Sequence, residues 1–189
     1  MAKHGKDSNL ANVTVCHMHT EGPATYAKPE YAKHFRTNSF FMAGNVRKTV
    51  AEGRGDNMSI FLNDIPKLFT YGLVKPDVAI VQVSPPNQHG FCTLGVSVDC
   101  VRRALNHSKY IIGQVNPQMP RTFGDTLIHM SHFDVVVEVD TPLATLKDGK
   151  LSKEEMTIGK LISEILVEDG ATLQMGIGNI PNGVLAALT

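Results

Sequence analysis

Short apolar runs rich in β-branched residues recur along most of the chain: Val13 to Cys16, Ser59 to Leu62, Val78 to Val83, Tyr110 to Val115 and Val135 to Val139. Their length and their Val and Ile content predict buried strands. Helix-like stretches lie between them. Val46 to Glu52 predicts one helix, closed by Gly53. Asp64 to Tyr71 predicts a second, with Asp64 as N-cap, Pro66 in the first turn and Gly72 as the stop. Asp99 to His107 predicts a third. Strands alternating with helices imply an α/β fold with an open, mainly parallel sheet.

The texture changes near Leu143, where TLKDGKLSKEE is charged and turn-rich and reads as a linker. Ser152-Lys-Glu-Glu155 then has the form of a capping box. Met156, Ile158, Leu161, Ile162, Ile165 and Leu166 follow at helical spacing, and Gly170 closes that helix. ATLQMGIG reads as a new strand, and its glycines lead into a second helix. The expected organisation is one domain over 1–148 and the opening helix, strand and loop of a second, similar domain over 149–189.

Composition narrows the function classes only slightly. Lys and Arg number 18, as do Asp and Glu. That balance gives no general pull towards nucleic acid or an anionic membrane. No apolar run approaches bilayer length, and the first residues do not form a signal peptide. The three cysteines, Cys16, Cys92 and Cys100, are odd in number and lack C-x-x-C spacing. They read as reduced thiols, with Cys92 and Cys100 as buried spectators.

Several segments are candidates for chemistry. A strand that ends in Gly176 and Gly178 and feeds a helix has the form of an anion cradle, because small residues let backbone N–H groups approach a ligand. The spacing is neither G-x-G-x-x-G nor that of a phosphate-binding P-loop. A plain tight turn remains the competing reading. His17 and His19 alternate on one strand face and form a possible metal pair for a hydrolase, with His129 and His132 as further donors. Spacing ties no carboxylate cluster to them. Ser84 to Gly90 is a stiff turn beyond a buried strand, where ligands gather in open parallel sheets, or else a rigid connector. Arg121 and Asp125 read as an ion pair that shapes their loop, and Arg36, Arg47 and Arg54 as residues of solvated faces.

Taken in order, HMHTEGPA, FRTNSFFMAGNVR, VAIVQVSPPNQHGFCTLGVSVDC, VNPQMPRTFGD and ATLQMGIGNIP resemble the acetyl-CoA hydrolase/transferase family of CoA-transferases. The likeness runs from about Asn12 to the last residue. HMHTEGPA and SHFD are most similar to animal members. Family members include acetate, butyrate and 4-hydroxybutyrate CoA-transferases.

The resemblance implies two similar α/β domains with the active site between them. It implies a glutamate that attacks the acyl-CoA thioester, an acyl-glutamyl anhydride, and then a glutamyl-CoA thioester from which a second carboxylate takes the CoA. Gly176, Ile177, Gly178, Asn179 and Ile180 match the family's CoA loop, whose N–H groups stabilise the oxyanion. Thr20, Glu21 and Gly22 match a loop facing the same cleft, and Asn87 and His89 the substrate end. No residue of this chain matches the nucleophile, which the family carries in a T-E-M-F-S-D-G-like segment expected beyond Thr189. A first strand–helix unit is expected ahead of Asn12. The chain is thus expected to be an internal piece, inactive alone.

The implied ligands are acyl-CoA and a short-chain carboxylate, with no permanently bound cofactor or metal. The implied partners are the remaining C-terminal domain and a possible second copy. The compartment implied is the mitochondrion for an animal member and the cytoplasm otherwise. Water replacing the acceptor would make the parent an acetyl-CoA hydrolase. A truncated non-catalytic chain and a metal-dependent hydrolase using His17 and His19 remain the other readings. Small departures from the family wording occur at Asn87, at Gly53 to Ser59 and at Gly183. The last costs up to about 1 kcal/mol against Ala at a helix start.

Overall fold

The alternation in Val13–His17 becomes strand β1, with Val13, Val15 and His17 on its more buried face. The computed structural model describes Gly5, Asp7 and residues 10–145 and 149–188. Within them the chain divides into two units, residues 1–144 and 145–189.

Two parallel three-stranded sheets organise the first unit. In one, β1 pairs with β2 (Phe35–Ser39), which pairs with β3 (Gly55–Asn57). The apolar pattern does not predict β2, because FRTNS has one apolar residue. It buries Phe35, Thr37 and Ser39. Neighbouring strands satisfy the two hydroxyls: Thr37 Oγ1 lies 3.1 Å from His17 Nε2, and Ser39 Oγ donates to Asn57 Oδ1 at 3.4 Å. The predicted first helix is α1, Gly44–Ala51, which connects β2 to β3 and ends just before Gly53 in a left-handed turn (φ 72°).

The other sheet has β6 (Tyr110–Val115) between β4 (Val78–Val83) and β8 (Val135–Glu138). These are the predicted Val and Ile runs, and all pair in parallel. One face packs Val81, Val83 and Val115 against Leu94, Leu105 and Ile128. On the opposite face Val78, Ile80, Tyr110, Val135 and Val137 stay exposed. A short antiparallel pair, β5 (Phe91–Thr93) with β7 (Leu127–His129), lies in the connections between these strands. Helix α2 (Ile65–Thr70) contributes Ile65, Leu68 and Phe69 to a second cluster with Phe40 and with Cys100, the residue before α3 (Val101–Asn106).

Three expectations need correction. Ser59 to Leu62 is not a strand; it leads into a 3-10 turn at Leu62–Asp64. Asp64 makes no side-chain cap, because its carboxylate takes the Lys67 ammonium at 2.7 Å. ATLQMGIG is not a strand: the described residues of the second unit offer it no ladder partner. A lone extended segment cannot satisfy its backbone groups by pairing, whatever its propensity.

The second unit is a helix pair, α4 (Lys153–Leu166) and α5 (Asn179–Ala187). The capping box forms as the sequence predicts: Glu155 N donates to Ser152 Oγ at 3.1 Å, and Ser152 N donates to Glu155 Oε2 at 2.7 Å. Helix α4 ends at Leu166, before Gly170. Its apolar residues Met156, Leu161, Ile165 and Leu166 are at least half exposed. Of the predicted linker, residues 146–148 lie outside the described ones. No described helix is long and apolar enough to cross a membrane.

Candidate functional site

The glycine segment of the second unit runs straight into α5. Gly178 is the N-cap, and Asn182 N donates the first intrahelical bond to its carbonyl at 3.1 Å. Pro181 has no N–H to leave unpaired, while helix geometry leaves those of Asn179 and Ile180 without an intrahelical acceptor. The two loop glycines have different grounds. Gly178 has φ 147°, which side chains rarely adopt. Gly176 has no such constraint: a Cβ there would meet only Pro181 Cγ, at 3.7 Å. Ile177 is 91% exposed. The Asn179 side chain turns back onto α4, where Nδ2 donates to Glu155 Oε1 at 2.9 Å. Nothing in the sequence spacing marks Glu155 as a partner of this loop.

In the first unit, the loop after β1 carries Thr20, Glu21 and Gly22. Asn45, in the first turn of α1, holds it by donating Nδ2 to the Thr20 carbonyl (2.7 Å) and the Gly22 carbonyl (3.0 Å). Gly22 (φ 91°) and Ala24 (φ 42°) both lie in the left-handed region. Thr20 Oγ1 is buried without a hydrogen-bond partner. The Glu21 carboxylate is exposed and lies 3.4 Å from His19 Nε2. Asn45 sits inside the quoted FRTNSFFMAGNVR block, but nothing in its spacing marks it as the brace of a loop 23 residues away.

His17 and His19 have different partners, Tyr26 and Thr37 for the first and Glu21 for the second. His17 Nε2 lies 2.8 Å from Tyr26 Oη and 3.1 Å from Thr37 Oγ1. Burial pushes its pKa below the usual imidazole value; the Met18 backbone opposes that shift and His19 adds to it. Among the described residues no group of three or more His, Cys, Asp or Glu side chains could hold a metal ion. His129 instead packs edge-on against Phe91 and bonds Ser131.

The Ser84 to Gly90 turn is internally braced. Asn87 Oδ1 accepts from the backbone N–H groups of His89 (3.0 Å) and Phe91 (2.9 Å). Asn87 therefore shapes the turn, whereas the His89 side chain is exposed and lies against that of Gln88. The expected Arg121–Asp125 pair does not form. Arg121 donates to the Phe91 carbonyl, and Asp125 pairs with Arg102 at 3.4 Å. Arg54 is not on a solvated face either: it reaches Glu52 and the Ala27 carbonyl and is mostly covered. Cys92 and Cys100 are buried, and burial pushes the Cys100 thiol up to about 12, with Asp99 adding to the shift.

Residues 1–146 match the acetyl-CoA hydrolase/transferase N-terminal domain. The chain belongs to this family. Relatives extend the match into the second unit. A succinyl-CoA:acetate/propanoyl-CoA:succinate CoA transferase of Fasciola hepatica is 46% identical over 96% of this chain and 37% of its own length. A 4-hydroxybutyrate coenzyme A transferase of Clostridium kluyveri is 42% identical over 95% of this chain and 42% of its own. Among solved structures, a 4-hydroxybutyrate CoA-transferase of Porphyromonas gingivalis is similar at TM-score 0.73 and 32% identity. It is covered over 50% of its length, and this chain over 99%. RipA from Yersinia pestis is similar at TM-score 0.87 and 27% identity, covering 99% of this chain and 45% of RipA. This family member therefore spans half or less of the relatives it matches. The mainly parallel α/β architecture read from the Val and Ile runs is the one these structures share.

Proposed function

We propose that this chain is the front part of a CoA-transferase that moves CoA between a short-chain acyl-CoA and a carboxylate such as acetate, butyrate or 4-hydroxybutyrate. The supporting observation is Gly176. Nothing inside the described unit requires a glycine there, since a Cβ would make only an ordinary contact with Pro181. A glycine with no internal cause beside unused helix N–H donors suits close approach of an acyl-CoA thioester. The Fasciola and Clostridium relatives carry CoA-transferase names, which supports the same chemistry.

In the complete protein, a glutamate carboxylate attacks the thioester carbonyl and expels CoA thiolate, leaving an acyl-glutamyl anhydride. The thiolate attacks the glutamyl carbonyl and releases the first carboxylate. The acceptor carboxylate attacks the resulting glutamyl-CoA and expels the thiolate again. Thiolate attack on the acyl carbonyl of the new anhydride completes the exchange and frees the glutamate. We place that glutamate outside residues 1–189 and propose that these residues by themselves do not turn over acyl-CoA. The carboxylate of Glu155 is already held by Ser152 and Asn179, and that of Glu52 by Arg54. Residues 1–148 are the proposed N-terminal domain, and 149–189 are proposed to open the C-terminal one. Thr20, Glu21, Gly22 and His89 are proposed to face substrate; Asn87 supports His89 through the turn. CoA enters as substrate, with no resident cofactor or metal. A mitochondrial setting follows if the source is an animal.

The test is titration of the isotopically labelled chain with coenzyme A. Amide shifts confined to residues 176–180 support the reading, and their absence overturns it. An acetyl-CoA hydrolase shares the loop and nucleophile. Loss of acetyl-CoA by the full-length protein without added carboxylate favours it.

A further inference from the structure

Glu155 uses both carboxylate oxygens. Oε2 accepts the Ser152 N–H at 2.7 Å and closes the capping box of α4. Oε1 accepts Asn179 Nδ2 at 2.9 Å. Asn179 is the first residue of α5 and directly follows Gly178, whose φ of 147° aims the loop. Gly149 also lies close to the Asn179 carboxamide, since a Cβ added there would come within 3.3 Å of Asn179 Oδ1. One turn further along, a Cβ on Gly183 would meet the Glu155 carbonyl oxygen at 2.8 Å. Residues 155 and 159 share a face of α4, and 179 and 183 share a face of α5. The start of α5 therefore rests on the first two turns of α4 through backbone contact and one charge-assisted hydrogen bond.

We propose that Glu155 is the positioning residue of the glycine loop, acting through Asn179. The proposal rests on reading that loop as the CoA-binding element and adds how it is held. Asn179 then acts on the ligand through its backbone N–H, while its side chain is turned to Glu155. Its part is to fix the direction of the backbone donors at the start of α5. Glu155 is neither a base nor a nucleophile. Its charge is used by the Ser152 N–H and the positive end of α4. Helix α5 carries no charged residue to compete for it. Ser152 and Glu155 are legible together because they are three residues apart. Glu155 and Asn179 are 24 apart, and only the helix packing joins them.

A carboxamide swap tests the contact. Asn179→Asp sets two carboxylates against each other. It is expected to raise hydrogen exchange at the amides of residues 182–184, the first hydrogen-bonded turn of α5, about tenfold in the unliganded chain at neutral pH. Adding Glu155→Gln supplies an N–H donor towards the new carboxylate at position 179, while its oxygen still accepts from Ser152. The double variant is expected to return to within about threefold of the parent. Unchanged exchange in Asn179→Asp, or no rescue in the double variant, overturns the proposal. Rescue also excludes general unfolding as the cause. Coenzyme A titration of the same variants separates the two readings. Exchange that follows this pattern without coenzyme A shifts in any variant leaves Glu155 as the positioning residue and removes CoA as the ligand.

Discussion

Gly159 and Gly183 face each other across α4 and α5 with no side chain between them. A Cβ on Gly159 would lie 2.4 Å from the Gly183 carbonyl carbon, and one on Gly183 would lie 2.8 Å from the Glu155 carbonyl oxygen. The glycine that helix propensity marks as a weakness is the residue that permits backbone contact here.

Gly183→Ala is therefore expected to destabilise the helix pair by about 1–3 kcal/mol, the usual cost of overpacking, despite a propensity gain of about 1 kcal/mol. Thermal denaturation followed by circular dichroism checks this. A melting temperature equal to or above that of the parent would show that the helices do not meet in this way.

The two loop glycines are expected to separate stability from binding. Gly178→Ala forces a side chain into a strained backbone region and costs about 1–3 kcal/mol of stability. Gly176→Ala adds only a contact with Pro181 and leaves the melting temperature nearly unchanged. On the CoA reading it nevertheless weakens coenzyme A binding, which calorimetric titration measures.

His17 is expected to make the first unit sensitive to acid. Burial lowers its pKa below the ordinary 6.5, so the folded chain keeps it neutral where the unfolded chain takes a proton. The stability it confers is present above pH 6.5 and is lost as the pH falls through the folded value. Urea titrations between about pH 7 and 5 should show this loss, and His17→Gln should flatten it.

Cys100 has the opposite dependence. Its thiol is pushed up to about 12, so the folded state holds the proton that an unfolded thiolate releases. Stability is complete below the ordinary thiol range and falls as the pH rises from about 8.5 towards 12. A thiol reagent at about pH 8 is expected to label exposed Cys16 ahead of buried Cys92 and Cys100. Rapid native labelling of all three would contradict this burial.

The local sequence determined whatever depends on neighbours a few residues apart. The Val and Ile runs became β4, β6 and β8, and Ser152 with Glu155 closed the capping box. The five ordered blocks determined the family. Only the tertiary structure decided the relationships between distant residues. The polar β2 is a strand because His17 and Asn57 answer its buried hydroxyls. ATLQMGIG, with stronger propensity, is not one because the described residues of its own unit offer no strand to pair with. Asn45 became a loop brace and Asn179 a partner of Glu155 by the same rule. Propensity and periodicity act over a turn or a pleat, whereas a hydrogen bond between elements exists only once packing has brought its donor and acceptor together.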